Sequence, residues 1–564
     1  MTNQKQKRLS RLGICWGIMY LVLTCVVAGT PEVKNESIKF RITSQVQHKI
    51  DPRIFGQFME RPSWGGEIGA EGALTPATRQ LQPEVVKLLQ QMTIPIIRFP
   101  GGIDVDFVDW CDMIDNAPGR GKDRPDSIGC TGEKITNNFG YDEFLQLCEK
   151  LKSEPIIVVN FRDALLNKKP LPEAAQHAAS LVAYCNTPVK TQLPDNMPDW
   201  PAVRAKNGRN KPYGVKYFQI GNETWNYKGE AEKELGLERF QKFYVECLAA
   251  YIEAMRAIDP SIKIIVDYLP DIPGLIHKQL GDKVQYLARH FYLPWTIEKV
   301  LKEGREVPLN KLSPQEIWYA WVALPQTDDN GQSIIIDQDS ISEIKALGYK
   351  VAVTEWNWNG WWADVAQPPY NSKFARGIGA AGFLHAFMRM GDVMELGCQS
   401  LLVGNAWDIT GIRVNVRAQK PPYFMPTGQV TMFYSKYHGD NLLVTEALQI
   451  PTYIQPYQMG FLKPQEKVAY IDALATASDQ AIYFHAINRH FNNPMKISID
   501  LSDFSNLTGQ AVHHIFESSF KDKPERSDAA QIGSIRDAPI RFTGKTLNVT
   551  LPNRTVSCIE IKRK

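Results

Sequence analysis

Between about residue 50 and residue 405 the chain repeats one unit, a short apolar run followed by a longer stretch with helical spacing. Eight such runs occur: IFGQFME (54–60), IPIIRFPGG (94–102), EPIIVVNF (154–161), VKYFQIGN (215–222), IKIIVDY (262–268), VQYLARHFY (284–292), YKVAVTEWN (349–357) and CQSLLVGN (398–405). Between them lie amphipathic stretches such as PEVVKLLQQM, YDEFLQLCEKL and RFQKFYVECLAAYIEAMRAI. Eight strands alternating with helices predict a (β/α)8 barrel. A doubly wound open sheet shares the alternation, but no Gly-x-Gly-x-x-Gly follows a strand. After about residue 430 the spacing changes to period two, in VAYIDALATAS, AIYFHAINRH, MKISIDL, QAVHHIFES, TLNVTLP and VSCIEIK. Those segments predict an all-β antiparallel sandwich. SIKFRITSQ (37–45) alternates in the same way and is expected to join that sandwich from the N-terminal side. The expected organisation is a leader over 1–29, a strand within 30–49, a barrel over 50–430 with an insertion at about 293–342, and a sandwich over 431–564.

The leader has the order of a secretory signal: basic KQKRLSR, an uncharged stretch from Leu12 to Gly29, and small residues at its end. Cleavage after Ala28 is the first reading. Lipid attachment at Cys25 and a retained anchor are the alternatives, and export is expected in each case. No later stretch is long and apolar enough to span a bilayer. Lys5, Lys7, Arg8 and Arg11 account for the small positive balance of 64 basic against 61 acidic residues, so the remainder is close to neutral. That argues against nucleic acid or an anionic membrane as partner. Thirteen Trp and 21 Tyr suit a flat neutral ligand such as a sugar, although aromatics also build cores. Seven cysteines remain outside the leader, an odd number, and Cys111 and Cys130 flank a Gly/Asp-rich loop where they could pair. No Cys/His spacing resembles a zinc site, so neither metal nor cofactor is expected.

A barrel builds its site at the C-terminal ends of its strands. Strand four ends in Asn222-Glu223-Thr224-Trp225 and strand seven in Thr354-Glu355-Trp356-Asn357. Two carboxylates facing each other across a pocket are what glycoside hydrolysis requires: one protonates the leaving oxygen, and the other attacks the anomeric carbon or activates water. Surface or ion-paired glutamates are the plain alternative.

GNETW and VTEWNWN resemble the acid/base and nucleophile signatures of the clan A ("four-seven") retaining glycosidases. Within that superfamily the chain is most similar to the family 51 α-L-arabinofuranosidases. IFGQFMER, IIRFPGG, NNFGYDEFLQLCEKLKSEPIIVVN, RHFY and AIYFHAINRH resemble further blocks of that family, in the same order. The resemblance implies that Glu223 is the general acid/base, with a raised pKa, and that Glu355 is the nucleophile. It further implies that Asn222 binds the sugar 2-hydroxyl, that Arg98 holds Glu355, and that His290 and Tyr292 contact Glu355 and the sugar. Glu60 would bind sugar hydroxyls. Trp356, Trp407 and their neighbours Trp358, Trp361 and Trp362 would offer stacking faces or pack in the core.

The chain departs from the family after strand two, where Ile103 stands in place of an Asn and is followed by Asp104 and Asp106. Gln57 and Arg61 stand where the family has His. The expected function is an exported, retaining, exo-acting α-L-arabinofuranosidase on polysaccharide side chains. The alternatives are another retaining glycosidase of the superfamily (a β-xylosidase, endo-β-glucanase or galactan-type hydrolase) and a non-catalytic glycan binder. A carbohydrate is the expected partner, and an oligomer is open.

Overall fold

The structure, a computed structural model, describes residues 37–61, 66–75, 78–323, 337–362, 372–416, 420–520 and 531–564. The leader lies outside the described residues, as do Trp64, 324–336 within the expected insertion, and the side chains of Trp361 and Trp362.

Eight parallel strands close into a barrel: Gly56–Phe58, Ile96–Phe99, Glu154–Val159, Tyr217–Ile220, Lys263–Asp267, Tyr286–Leu293, Lys350–Trp358 and Met394–Gln399. Seven of them coincide with the apolar runs, and the eighth lies earlier than its run at 398–405, overlapping it only at Cys398 and Gln399. The runs are nearly continuous because a parallel barrel strand is buried on both faces. Ile96, Ile156, Tyr217, Ile265, Tyr286, Ala352 and Leu396 fill the lumen. Ile97, Ile157, Phe218, Val266, Leu287 and Val353 alternate with them and face the helices. The Leu237–Ile258 helix shows why its sequence reads as amphipathic: Phe240, Tyr244, Cys247, Leu248, Tyr251 and Met255 share its buried stripe.

Nine of the remaining strands form one sheet. Its order is Gly533–Arg541, Leu507–Ser518, Thr555–Arg563, Ala481–Asn488, Ile471–Ala477, Asn441–Leu448, Ile38–Lys49, Met495–Asp500 and Thr546–Leu551. Every pairing is antiparallel except that of Ile38–Lys49 with Met495–Asp500. The sheet folds over a core of its own, in which the rings of Phe40 and Phe484 meet edge to face at 5.1 Å. Its other face receives the Ser372–Arg389 helix of the barrel. There Asp472 accepts from Arg389 Nη2 at 2.5 Å and lies 3.7 Å from Arg489 Nη2. The last barrel helix runs Pro426–Lys436 and the next strand begins at Asn441, so the change from barrel to sheet falls beyond residue 430.

Within the insertion, Val300–Lys302 pairs antiparallel with Tyr457–Met459, and the Pro314–Trp321 helix anchors to the sheet through Trp318 Nε1, which donates to the Arg489 carbonyl at 2.8 Å. Among the described residues no helix is long and apolar enough to cross a membrane. Cys111 and Cys130 do not pair. Both thiols are free and lie in separate clusters, Cys111 beside Asp109 and His177, Cys130 beside Asp104 and Glu133.

Candidate active site

The strand-four and strand-seven glutamates converge over the lumen. The strand-six histidine joins them, and one oxygen of Glu223, one of Glu355 and a ring nitrogen of His290 all lie within 4.8 Å of one another. Each arrives by a distinct backbone device. Glu223 follows Gly221 and itself sits at φ +50°, a conformation uncommon outside glycine. Its turn is held from below by Asp267 at the end of strand five, which accepts the Thr224 N–H at 2.8 Å. Glu355 follows a register irregularity: strand seven pairs normally through Val353 with strand six, and resumes with Glu355 opposite His290. A bulge of this kind re-aims the side chains beyond it. Thr354 and Glu355 therefore both reach the lumen, and Trp356 turns outward.

Arg98 organises the floor. Fully buried, its guanidinium donates from Nη1 to Glu355 Oε1 (2.8 Å), from Nη2 to Asn222 Oδ1 (2.5 Å) and from Nε to Gln219 Oε1 (2.8 Å). Gln219 in turn donates to Asp267 (3.3 Å). Tyr292 donates its hydroxyl to Glu355 Oε2 at 2.7 Å and lies 2.6 Å from Ser400 Oγ. The nucleophile candidate is thus fixed through both oxygens. The Asn222 Nδ2 group is buried with no partner, a donor waiting for an acceptor above the floor.

His290 bridges Glu223 Oε1 and Thr354 Oγ1, each at 2.9 Å. Burial pushes the Glu223 carboxyl up, but the hydrogen bond and charge of His290 outweigh it, and the net shift is downward. This differs from the raised value expected of a proton donor. The physical reason is the contact of the His290 ring, whose Nδ1 lies 2.9 Å from Glu223 Oε1. Glu60 goes the other way. Burial, with Glu355 and Asp104 nearby, holds its carboxyl well above the usual carboxylate range. It lies against the turn after strand two, where Gly101 and Gly102 adopt positive φ and a Cβ on Gly102 would lie 1.9 Å from Glu60 Oε1. That is why glycine is required there.

The structure brings Glu60, Arg98, Asn222, Glu223, His290, Tyr292 and Glu355 into one site. It does not bring Trp356. Buried to 0% exposure, that indole packs on Phe383 and Phe387 of the Ser372–Arg389 helix, outside the barrel wall, and Trp358 packs on Phe383 beside it. Trp407 is half-buried above the lumen core. Its loop is set by Glu67, which accepts from the N–H groups of Gly69, Asn405, Ala406 and Trp407 at 2.8 to 3.1 Å.

Asp104 and Asp106 each bind loop backbone through one oxygen, and Asp104 also acts on the Glu60 carboxyl. Asp104 accepts the Cys130 N–H, and Asp106 accepts those of Phe161 and Arg162, so both serve loop geometry. Arg61 donates from Nη2 to the Thr136 carbonyl and Asn137 Oδ1, while its Nε and Nη1 are buried without a hydrogen-bond partner among the described residues. The residues that the sequence reading missed are Gln219, Asp267, Glu67 and Ser400. Asp267 carried the same signal as Glu223, an acid at a strand's C-terminal end.

Over residues 88–296 the chain matches the family described as "Alpha-L-arabinofuranosidase 1 domain". Over that span the chain is similar to α-L-arabinofuranosidases. A probable α-L-arabinofuranosidase C of Aspergillus niger is 30% identical over 221 residues, 39% of each chain. The match thus spans about two fifths of that relative's length. An intracellular exo-α-L-arabinofuranosidase of Bacteroides ovatus is 22% identical over 96% of this chain and 99% of its own. The crystal structure of an α-L-arabinofuranosidase from Thermotoga maritima in complex with arabinose superposes with a TM-score of 0.68. At 20% identity it covers 93% of this chain and 100% of that one. At this identity the structural likeness concerns the fold, a barrel with an appended β-domain.

Beyond the Glu223–His290–Glu355 group, two clusters have metal-ligating residue types, Asp109–Cys111–His177 and Asp104–Cys130–Glu133. Hydrogen bonds already knit each together, His177 to Asp109 at 2.9 Å and the Cys130 N–H to Asp104 at 2.8 Å.

Proposed function

We propose that the protein is a retaining α-L-arabinofuranosidase working by double displacement. The observation that carries this reading is the proximity of Glu223 and Glu355, with oxygens within 4.8 Å, which suits a direct nucleophile better than a water-sized gap. In the first step a Glu355 oxygen bonds to the anomeric carbon and the glycosidic C–O bond breaks. The proton held by the Glu223–His290 pair passes to the leaving oxygen. In the second, Glu223 takes a proton from water as that water's oxygen displaces Glu355. Arg98 and Tyr292 keep Glu355 aimed, and the unpartnered Asn222 amide is placed to meet a sugar hydroxyl. Glu60, whose carboxyl burial pushes up, can meet another. The relatives' printed activities support arabinofuranose as the sugar.

The test is a panel of aryl α-L-arabinofuranoside, β-D-xyloside, β-D-galactoside and β-D-glucoside with the chain from about residue 30. Turnover of the arabinofuranoside should fall by at least ~10³-fold in both Glu355→Ala and Glu223→Ala. Added azide should give a glycosyl azide of retained configuration with Glu223→Ala and one of inverted configuration with Glu355→Ala. Turnover confined to another sugar would keep the mechanism and overturn the specificity, and Ile103 would then be the first residue to revert. Export rests on the leader's composition alone, and signal cleavage in a secreting host tests it.

A further inference from the structure

Trp295 follows strand six at φ +69°, a conformation that bulky side chains rarely adopt and that costs free energy to hold. Two elements hold it there. Asn359, beyond strand seven, accepts the Trp295 N–H at 3.1 Å and donates its own N–H to the Leu293 carbonyl at 2.6 Å. From the other side comes the turn between Thr452–Gln455 and Gln465–Ala469, where the Phe461 N–H donates to the Pro294 carbonyl at 3.0 Å. Gly460, at φ +54°, permits this approach: a Cβ there would lie 2.3 Å from that carbonyl oxygen. The outcome of this clamping is an indole left 39% exposed, with Phe461, 63% exposed, on the adjoining turn. Strain maintained to expose a large aromatic at a site's edge points to a ligand.

The ligand follows from position. A cleft of about 360 Å³ runs from Glu223 past Trp225 and Tyr268 to Trp295. Glu223 is the group that protonates the leaving oxygen, so the leaving group departs along the side Glu223 lines. The Tyr292 ring, whose hydroxyl contacts Glu355, lies 5.9 Å from that of Trp295. The cation in this cleft, Arg289, is paired with Asp337 at 3.2 Å, which favours an uncharged occupant. Flat faces with few charges suit the apolar faces of sugar rings.

We propose that Trp295, with Phe461 beside it, is the stacking platform for the first sugars of the leaving group, a neutral oligo- or polysaccharide chain. The proposal rests on the glycosidase reading above. It makes the β-domain turn part of substrate selection.

Trp295→Gly is the informative variant, because glycine suits the positive φ and removes only the ring. Two substrates are compared: an arabinofuranosyl fluoride, whose leaving group is too small to reach the platform, and an arabinose-bearing neutral oligosaccharide. In Trp295→Gly, kcat/KM on the oligosaccharide should fall at least ~10-fold, chiefly through KM, with the fluoride within about 2-fold and Tm not lowered. Trp295→Phe should recover most of the loss, and Phe461→Ala should give a smaller loss of the same kind. Equal losses on both substrates, or none on the oligosaccharide, would overturn the platform. If the wild-type chain turns over neither arabinofuranoside, the arabinofuranosidase reading has failed. The platform is then judged by calorimetry with xylo-, arabino- and gluco-oligosaccharides: an affinity at least ~10-fold lower in Trp295→Gly than in the wild type upholds it, and equal affinity or no binding by either overturns it.

Discussion

Glu60 at the top of the barrel and Asp472 at the seam between barrel and sheet are both buried carboxylates, yet their surroundings push them in opposite directions. Asp472 faces Arg389, His385 and Arg489, and although burial raises its carboxyl, these groups hold it well below the usual range. Glu60 meets Arg98, whose donors are already committed to Glu355, Asn222 and Gln219, and Arg61, and it meets other acids besides. The seam surrounds its charge with partners and becomes rigid. The lumen crowds acids together and leaves Asn222 Nδ2 unanswered, so a ligand can complete it. A network that is satisfied builds a scaffold, and one that is left short builds a site.

The contrast can be broken most severely at the seam. Asp472→Asn leaves two guanidinium groups against a neutral amide and should cost about 3–5 kcal/mol of stability by denaturant titration. The kcat of the molecules that remain folded should not change. A matching loss of kcat would mean that the seam is coupled to the site. In the lumen, Arg98→Lys replaces a planar three-way donor by a point charge. It should lower kcat/KM by about 10²–10³-fold, since Glu355 and Asn222 lose their common anchor, and parity with wild type would remove Arg98 from the mechanism.

Glu60→Gln sharpens the comparison further. Burial pushes the Glu60 carboxyl up, so an amide, which keeps a donor in place, should cost less than about 10-fold in kcat/KM, whereas Glu60→Ala should cost clearly more. Equal losses would show that an ionised Glu60 is needed. A pH-dependent effect is expected at Asp106, whose carboxyl burial pushes from its ordinary 3.8 up to about 7. Between those values the folded chain keeps a proton that the unfolded chain has lost, so this group makes stability fall as pH rises from about 4 to about 7. Asp106→Asn should flatten that part of the Tm–pH curve, and an unchanged slope would assign the fall to other groups.

The barrel was legible because its eight runs are local and each carries its own burial pattern, and period two from 431 onward was legible for the same reason. Glu223 and Glu355 were legible as acids at strand ends. Asp267 had that signal too, but nothing in the chain shows that it would hold the Thr224 N–H. Trp356 could not be placed from the sequence. Its side depends on a pairing irregularity with strand six, and alternation counted along the chain gives the wrong face. Cys111 and Cys130 flank one loop, yet folding carries them into separate clusters, because loop ends close in sequence need not present their side chains to each other.

By itself the sequence determined the strand count, the helices between strands, and which two glutamates stand at the barrel's rim, all properties of short segments and their periods. Tertiary structure alone decided that the Glu60 carboxyl is pushed up while that of Asp472 is held down, that Asp104 and Asp106 bind loop N–H groups, and that Trp295 is held exposed by a turn some 165 residues away in sequence. These depend on which groups arrive from distant elements, and desolvation, charge proximity and register exist only once those elements have met.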